Sequence, residues 1–291
     1  MSTVEVTRLP TRDEVSRRTW IVFSDENIHA ILDDEGVLLA EMRHPEGCRF
    51  TPSLLDSGLR LHERLQRDVA AGRLAVRYLV WASARPDAWN LGGDLRRFLA
   101  WVEAGDAAAL RAYARTCTRL VHETWRALDL PLRTVALVRG RAFGGGFEAA
   151  LACDLLLAEA DARFGLPEAL FGLFPGMGAW SLLARRADRA LVRRLVEEAE
   201  TVTARELHDR GLVHRLLPPG GALSGLRTFV RERALVFARD LALDRVRRRV
   251  EALTRHELDD IVEIWVARAL ALEPAMRRRM RHFARCQARA R

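Results

Sequence analysis

The chain has 291 residues, of which 49% are hydrophobic and 30% charged, which is typical of a water-soluble globular protein. No apolar run approaches the roughly 20 residues of a membrane span. The polar segment 1–18 also lacks the apolar core of a signal peptide, so we expect a cytoplasmic protein with no membrane partner. The formal net charge is +8, and all 47 basic residues are arginine, which excludes a lysine Schiff base, a lysine general base and a Walker lysine.

Strands and helices are predicted to alternate in the first half of the chain. Apolar runs bounded by turn residues predict strands at 20–23, 29–32, 37–40, 76–82, 134–138 and 154–158. Leucines at helical spacing predict a helix over 53–71, and two further helices are expected within 94–128 and one over 147–153. This alternation indicates an α/β architecture with largely parallel strand pairing.

From about residue 177 the pattern predicts helices alone. The expected segments are 177–187, 188–197, 203–210, 222–242, 244–272 and 274–289. The linker Pro218-Pro-Gly-Gly221 divides the chain into a core over 19–217 and a C-terminal helical region over 218–291, after an extension at 1–18.

Two glycine-rich corners stand between predicted strands and helices. One is Gly144-Gly-Gly146 and the other is Gly92-Gly93. Glycine lets a backbone approach a ligand closely, and a helix N-terminus points free N–H groups outward. Two such corners can supply two N–H donors to one carbonyl oxygen, which a thioester enolate or a tetrahedral oxyanion requires. The spacing is not GxGxxG and no GxSxG is present, so neither a dinucleotide site nor a serine nucleophile elbow is indicated.

Two glutamates follow these turns, Glu148 just after the triple glycine and Glu168 after Gly165-Leu-Pro167. Two carboxyl groups in one apolar pocket do not both ionise readily, so one is expected to hold a proton while the other acts as a base. This asymmetry suits the addition or elimination of water next to a thioester. For either glutamate alone, a helix-capping role is the alternative explanation.

Taken together, these motifs resemble the crotonase superfamily, the enoyl-CoA hydratase/isomerase group. The residues that carry the resemblance are Gly144-Gly-Gly-Phe-Glu148, Cys153-Asp154, Phe164-Gly-Leu-Pro-Glu168, Pro175-Gly-Met-Gly178 and Leu91-Gly-Gly-Asp94. The resemblance implies a spiral of ββα units with a C-terminal helical region that forms trimers or dimers of trimers. It also implies catalytic roles for Glu148 and Glu168, and an oxyanion hole at the N–H groups of Gly93 and Gly145, with Gly92 as the alternative to Gly93.

A narrower resemblance is to the diffusible signal factor synthases of that superfamily. It rests on Trp89–Leu95, Gly144–Leu151, Leu166–Ala179 and Glu263-Ile-Trp-Val266. It implies dehydration of 3-hydroxyacyl chains on acyl carrier protein to a cis-2-enoyl thioester, followed by hydrolysis to a free cis-2-unsaturated fatty acid, a quorum-sensing signal. The alternatives are a conventional enoyl-CoA hydratase or isomerase, and a non-catalytic binding protein of this fold that regulates a sensor protein.

The remaining features carry weaker expectations. Trp265, Met177 and Phe174 are candidates for the wall of an acyl pocket. The alternative is core packing for Trp265 and packing of the glycine loop for Met177 and Phe174. The arginine runs 245–249 and 277–281 are either solvated helix faces or docking sites for acyl carrier protein or the phosphates of coenzyme A, and nothing indicates nucleic acid. Four scattered cysteines and eight histidines show no metal-binding or disulfide spacing, so we expect no metal and no cofactor beyond the thioester carrier.

Overall fold

The computed structural model describes residues 18–289, so the predicted N-terminal extension lies outside the described residues except for Arg18. The strands are β1 (Thr19–Ser24), β2 (Ile28–Asp33), β3 (Val37–Met42), β4 (Tyr78–Ser83), β5 (Ala88–Asn90), β6 (Arg133–Val138), β7 (Arg141–Phe143), β8 (Leu155–Glu159), β9 (Arg163–Gly165), β10 (Thr201–Thr203) and β11 (Arg215–Leu217). The helices are α1 (Pro52–Ala70), α2 (Leu95–Ala104), α3 (Ala107–Trp125), α4 (Gly145–Ala152), α5 (Ala179–Ala184), α6 (Arg189–Val196), α7 (Ala204–Asp209), α8 (Ala222–Arg233), α9 (Phe237–Val250), α10 (Arg255–Leu270) and α11 (Pro274–Arg289). Short 3-10 helices occupy Ala127–Asp129, Pro167–Phe171 and Ala234–Val236.

The main sheet has seven strands in the order β1-β2-β3-β4-β6-β8-β11. The hairpin strands β1, β2 and β3 pair antiparallel, and every pairing from β3 to β11 is parallel. β4, β6 and β8 are buried along their whole length, which is why their sequences are continuous apolar runs rather than alternating ones. The predicted strands and their largely parallel pairing are therefore confirmed.

A second, smaller sheet was not predicted. It has four strands of three residues each, in the order β10-β9-β7-β5. β5, β7 and β9 pair in parallel, and β10 pairs antiparallel with β9. Each of the three parallel strands ends beside a glycine or proline turn, so this sheet fixes the positions of those turns.

The all-helical expectation after residue 177 is wrong in two places. β10 and β11 lie in this part of the chain, and β11 completes the main sheet next to β8. The helix expected over 222–242 ends at Arg233, and the one expected over 244–272 is interrupted at 251–254, where Thr254 caps α10 by accepting a hydrogen bond from the Glu257 N–H. Three-residue strands are too short to show an alternating pattern, which explains why they were missed.

Helices cover both faces of the main sheet. The larger core cluster joins α1, α3, α4 and α5 to one face, and a smaller cluster, which includes Leu226 and Phe229 of α8, covers the other. No helix within residues 18–289 is long and apolar enough to cross a membrane.

Candidate active site

The small sheet brings the two glycine corners together. β5 leads into loop 91–94, and β7 leads into Gly144 and then α4. These strands pair in parallel, with Ala88 opposite Arg141. Since the carboxyl ends of parallel strands meet at one edge of a sheet, both glycine turns lie side by side there.

Gly92 marks the point where the two corners touch. Its φ is +90°, and a Cβ at this position would lie 2.9 Å from the backbone nitrogen of Gly145. In the reverse direction, a Cβ at Gly145 would lie 3.6 Å from the nitrogen of Gly93. Only glycine at position 92 allows this close backbone approach.

Two N–H groups of this corner are free to bind a ligand. The Gly92 N–H donates to Asn90 Oδ1 at 2.8 Å, so this group is already used. Within residues 18–289, no acceptor bonds the N–H of Gly93 or that of Gly145, which opens the first turn of α4. The geometry therefore favours Gly93 over its neighbour as the partner of Gly145 in a two-donor oxyanion hole.

Glu148 lies on the first turn of α4 and points inward, with only 1% of its surface exposed. Its Oε1 accepts hydrogen bonds from the backbone N–H groups of Met177 at 2.8 Å and Ala179 at 2.9 Å. The turn Gly176–Gly178 that precedes α5 therefore orients this carboxyl group.

Glu168 lies on the 3-10 helix Pro167–Phe171, directly after β9. Its carboxyl group packs on the glycine corner, because a Cβ at Gly144 would be only 2.5 Å from Glu168 Oε1. Its Oε2 is buried and has no hydrogen-bond partner among the described residues. An unpaired buried carboxyl oxygen is costly to fold, and it is therefore a candidate for contact with a substrate.

Burial raises the pKa of both carboxyl groups. For Glu148, hydrogen bonds from the backbone of Ala179, Met177 and Gly178 oppose this effect and favour the ionised form. For Glu168, the negative charge of Glu148 raises the pKa further. Glu168 is therefore the more favourable of the two carboxyl groups for holding a proton.

The two carboxyl groups and the two glycine corners line one cavity of about 60 Å³. Most of its remaining wall is apolar, with Leu95, Phe98, Tyr113, Ala114, Cys117, Phe171, Leu173, Met177 and Trp265 among the lining residues. A second cavity of about 280 Å³ adjoins it and shares Leu91, Leu95 and Pro167. The two carboxyl groups thus lie in largely apolar surroundings, which strengthen electrostatic interactions there.

The expected pocket residues have different positions. Trp265 and Met177 line the cavity, and the Trp265 ring packs so closely on Gly176 that a Cβ there would lie 2.7 Å from Cδ1. Phe174 is not among the lining residues: it packs against the hydrophobic core, and its neighbour Leu173 faces the cavity instead. A role for Phe174 in an acyl pocket therefore stays a prediction, and the irregular loop after Gly172 gives no periodicity from which its orientation can be read.

Phe98 of α2 and Tyr113 and Cys117 of α3 are among the cavity-wall side chains that were not predicted from the sequence. The rings of Phe98 and Tyr113 meet edge to face at 5.0 Å, and Phe98 meets Trp265 in the same way at 5.2 Å. Tyr113 also fixes the glycine loop, since its hydroxyl donates to Phe50 O and accepts from the Asp94 N–H at 3.4 Å. Their helical spacing is the same as that of core residues, so the sequence offered no separate signal.

The two arginine runs have different surroundings. In run 245–249, Arg247 and Arg248 each bond the fully buried Asp154 carboxylate at 2.6 Å, so these two arginines are structural. Run 277–281 lies on α11, where Arg278 has no ion pair among the described residues. No group of three or more His, Cys, Asp or Glu side chains in residues 18–289 is arranged to hold a metal ion.

The chain is similar in sequence to known proteins. The family model for enoyl-CoA hydratase/isomerase matches residues 73–256. The 2,3-dehydroadipyl-CoA hydratase of Escherichia coli (strain K12) is 35% identical over 129 residues, which cover 43% of this chain and 49% of that protein. The chain thus spans about half the length of the curated relatives it matches.

Solved structures show the same fold. An enoyl-CoA hydratase from Bacillus halodurans superposes with a TM-score of 0.74 at 20% identity, covering 88% of this chain and 100% of that one. DspI from Pseudomonas aeruginosa superposes with a TM-score of 0.61 at 26% identity, covering 81% of this chain and 85% of that one. The expected α/β fold with a C-terminal helical region is confirmed.

Proposed function

The chain belongs to the enoyl-CoA hydratase/isomerase family, and we propose that it adds and removes water across the C2–C3 bond of an acyl thioester. More specifically, we propose that it dehydrates 3-hydroxyacyl chains and then hydrolyses the thioester, releasing a cis-2-unsaturated fatty acid. The observation that carries the proposal is one largely apolar cavity that is lined both by the two carboxyl groups and by the two glycines whose backbone N–H groups are unpaired.

The raised pKa values of the two glutamates suit this chemistry. In the hydration direction, ionised Glu148 accepts a proton from water while the water oxygen bonds to C3. Glu168 supplies a proton to C2, and the enolate charge on the thioester oxygen is stabilised by the N–H groups of Gly93 and Gly145. Dehydration is the same pair of transfers in reverse, and it starts from the form in which Glu148 holds the proton.

Thioester hydrolysis can use the same groups. A carboxylate takes a proton from water, whose oxygen bonds to C1, and the negative charge develops on the same thioester oxygen. The carbon–sulfur bond then breaks and the thiolate takes up the proton held by the glutamate. Since both reactions place charge on one oxygen, one pair of N–H donors serves both. The resemblance of Trp89–Leu95 and Leu166–Ala179 to the signal synthases supports this second step.

A conventional enoyl-CoA hydratase is the second candidate. It is favoured by the names of the relatives, among them the 2,3-dehydroadipyl-CoA hydratase of Escherichia coli. It needs the same two glutamates and the same oxyanion hole. The two candidates differ in the product, which is either a free acid or a thioester that keeps its carrier.

For the carrier, we propose an acyl carrier protein or coenzyme A thioester that approaches past α11. This helix has arginine at 277, 278, 279, 281, 285 and 289 and no acidic residue, so it attracts an anionic carrier. We also propose that the C-terminal helices mediate trimer formation. Leu243, Val246 and Val250 support this, because they form an exposed apolar stripe on α9.

The proposal is tested by product analysis with 3-hydroxyacyl thioesters of short, medium and long chains, each presented on carrier protein and on coenzyme A. Release of free cis-2-enoic acid supports the dehydratase and thioesterase. Reversible hydration of trans-2-enoyl-CoA with no free acid supports the conventional hydratase. If no thioester reacts under any of these conditions, the catalytic proposal fails and the non-catalytic binding protein is favoured.

A further inference from the structure

The last turn of α11 reaches the glycine loop of the active site. Met280, Ala284 and Gln287 are the buried residues of this helix, and they lie on one face at helical spacing. Gln287 is the only polar one of the three, and 7% of its surface is exposed. A buried amide normally has its hydrogen bonds satisfied, so its partners show what holds it in place.

The Gln287 amide makes three hydrogen bonds, and all its partners are backbone atoms of residues 91–95. Its Nε2 donates to Leu91 O at 3.0 Å and to Gly93 O at 2.8 Å. Its Oε1 accepts from the Leu95 N–H at 3.4 Å. One side chain thus bonds the backbone of residues 91, 93 and 95 through both of its N–H groups and its oxygen. Glutamine can do this because its amide is both a donor and an acceptor.

The opposite side of the loop is held by the segment before α1. The Leu91 N–H donates to Cys48 O at 2.9 Å, and Gly92 O accepts from the Phe50 N–H at 2.8 Å. With Gln287 on the other side, the loop backbone is held from both directions. The Gly93 N–H is left as the one backbone donor of residues 91–95 without an acceptor in the described part of the chain.

We propose that Gln287 is a positioning residue that fixes the Gly93 N–H in the direction required for the oxyanion hole. The inference rests on the proposed function. It makes the C-terminal helix part of the catalytic architecture, although no α11 side chain lines the cavity that holds the two carboxyl groups. The direction of the Gly93 N–H depends on the residues that hold the loop in place, and a displacement of about 1 Å can cost a reaction roughly 10²-fold.

The test compares Gln287→Met, Gln287→Glu and a matched control, Gln66→Met, in the full chain. Gln66 and Gln287 are the only glutamines of the sequence, and Gln66 Nε2 donates to a backbone carbonyl, Leu128 O, at 3.2 Å. Methionine keeps the length of the side chain but loses its hydrogen bonds. Hydrogen–deuterium exchange of the peptide that contains residues 91–95 is measured alongside kcat and KM.

For Gln287→Met we expect exchange in this peptide to be faster by about tenfold or more, because three hydrogen bonds are lost. We expect kcat to fall roughly 10²-fold while KM changes little, since the defect lies in transition-state stabilisation. For Gln287→Glu we expect kcat, divided by the native kcat at the same pH, to rise as the pH falls. The reason is that only a protonated carboxyl group can donate a hydrogen bond to the loop. Gln66→Met should change neither the loop exchange nor kcat.

The inference is overturned if loop exchange in Gln287→Met equals that of the native chain. It is equally overturned if exchange accelerates but kcat does not fall, because the loop would then be ordered by Gln287 without consequence for catalysis. If the native chain itself converts no thioester, the proposed function fails. The exchange measurement then still decides whether Gln287 orders the loop.

Discussion

Replacing Gly144 with alanine should impair catalysis through Glu168, although Gly144 has no side chain of its own. An alanine Cβ would lie 2.5 Å from Glu168 Oε1, whereas ordinary van der Waals contact begins at 3.4 Å. The carboxyl group must therefore move by about 0.9 Å. Its displacement on that scale predicts a loss of roughly 10²-fold in kcat for hydration or dehydration.

The same substitution also has a backbone cost, which must be separated from the effect on Glu168. Gly144 has φ of +52°, where an L-residue is strained by about 1–3 kcal/mol. Gly72→Ala is the control for a positive φ without a steric clash, because φ at Gly72 is +67° and a Cβ there would meet no atom within 4 Å. Both variants should lower the unfolding temperature, but only Gly144→Ala should lower kcat.

The assay is steady-state turnover of a 2-enoyl thioester by the two variants and the native chain, with thermal unfolding measured on the same samples. If Gly144→Ala keeps kcat within about threefold of the native value while it is folded, the position of the Glu168 carboxyl does not limit the reaction and the reasoning is refuted.

Three further predictions concern the acids of the chain. Glu148→Gln and Glu168→Gln should each lower kcat by about 10²-fold or more, the scale of general acid–base catalysis, and near-native turnover in either variant would remove that residue from the mechanism. Burial raises the pKa of Glu168 in the folded state, so its contribution to stability is full below the unfolded pKa and is lost as the pH rises through the folded value. From about pH 5 upward, the native chain should therefore lose stability relative to Glu168→Gln, as measured by the free energy of unfolding in urea. A difference between the two chains that does not depend on pH would contradict a raised pKa of Glu168. Asp154→Asn should destabilise the fold by about 3–5 kcal/mol, because it leaves Arg247 and Arg248 without their buried partner. The control is the exposed pair of Arg193 and Glu198, where Glu198→Gln should cost less than about 1 kcal/mol in the same urea titration.

The glycine corners and the two glutamates could be predicted because their information is local. Glycine runs next to strand and helix patterns identify sharp turns, and Glu148 follows such a turn directly. The sequence also predicted that the carboxyl groups would share a cavity, and both do line it. It could not indicate which acid favours the proton, since that depends on N–H groups from residues 177–179.

Other parts of the site depend on contacts between distant segments. Gln287 lies 196 residues from Leu91, on a helix whose most visible sequence feature is arginine. β5 and β7 align the two oxyanion donors, but with three residues each they are shorter than any pattern that periodicity can detect. Phe98 and Tyr113 lie at helical spacing, and this spacing is the same whether the side chains line a cavity or pack in a core.

Deuterium incorporation tests most directly whether this cavity performs acid–base chemistry beside a thioester. A 2-enoyl thioester is incubated with the chain in D2O, and the 3-hydroxyacyl product is analysed by mass spectrometry and NMR. We expect one deuterium at C2 in the product of the native chain, and almost no product with Glu148→Gln or Glu168→Gln. Absence of both water addition and C2 deuteration in the folded native chain, or unchanged deuteration in both variants, would contradict the role assigned to the two glutamates.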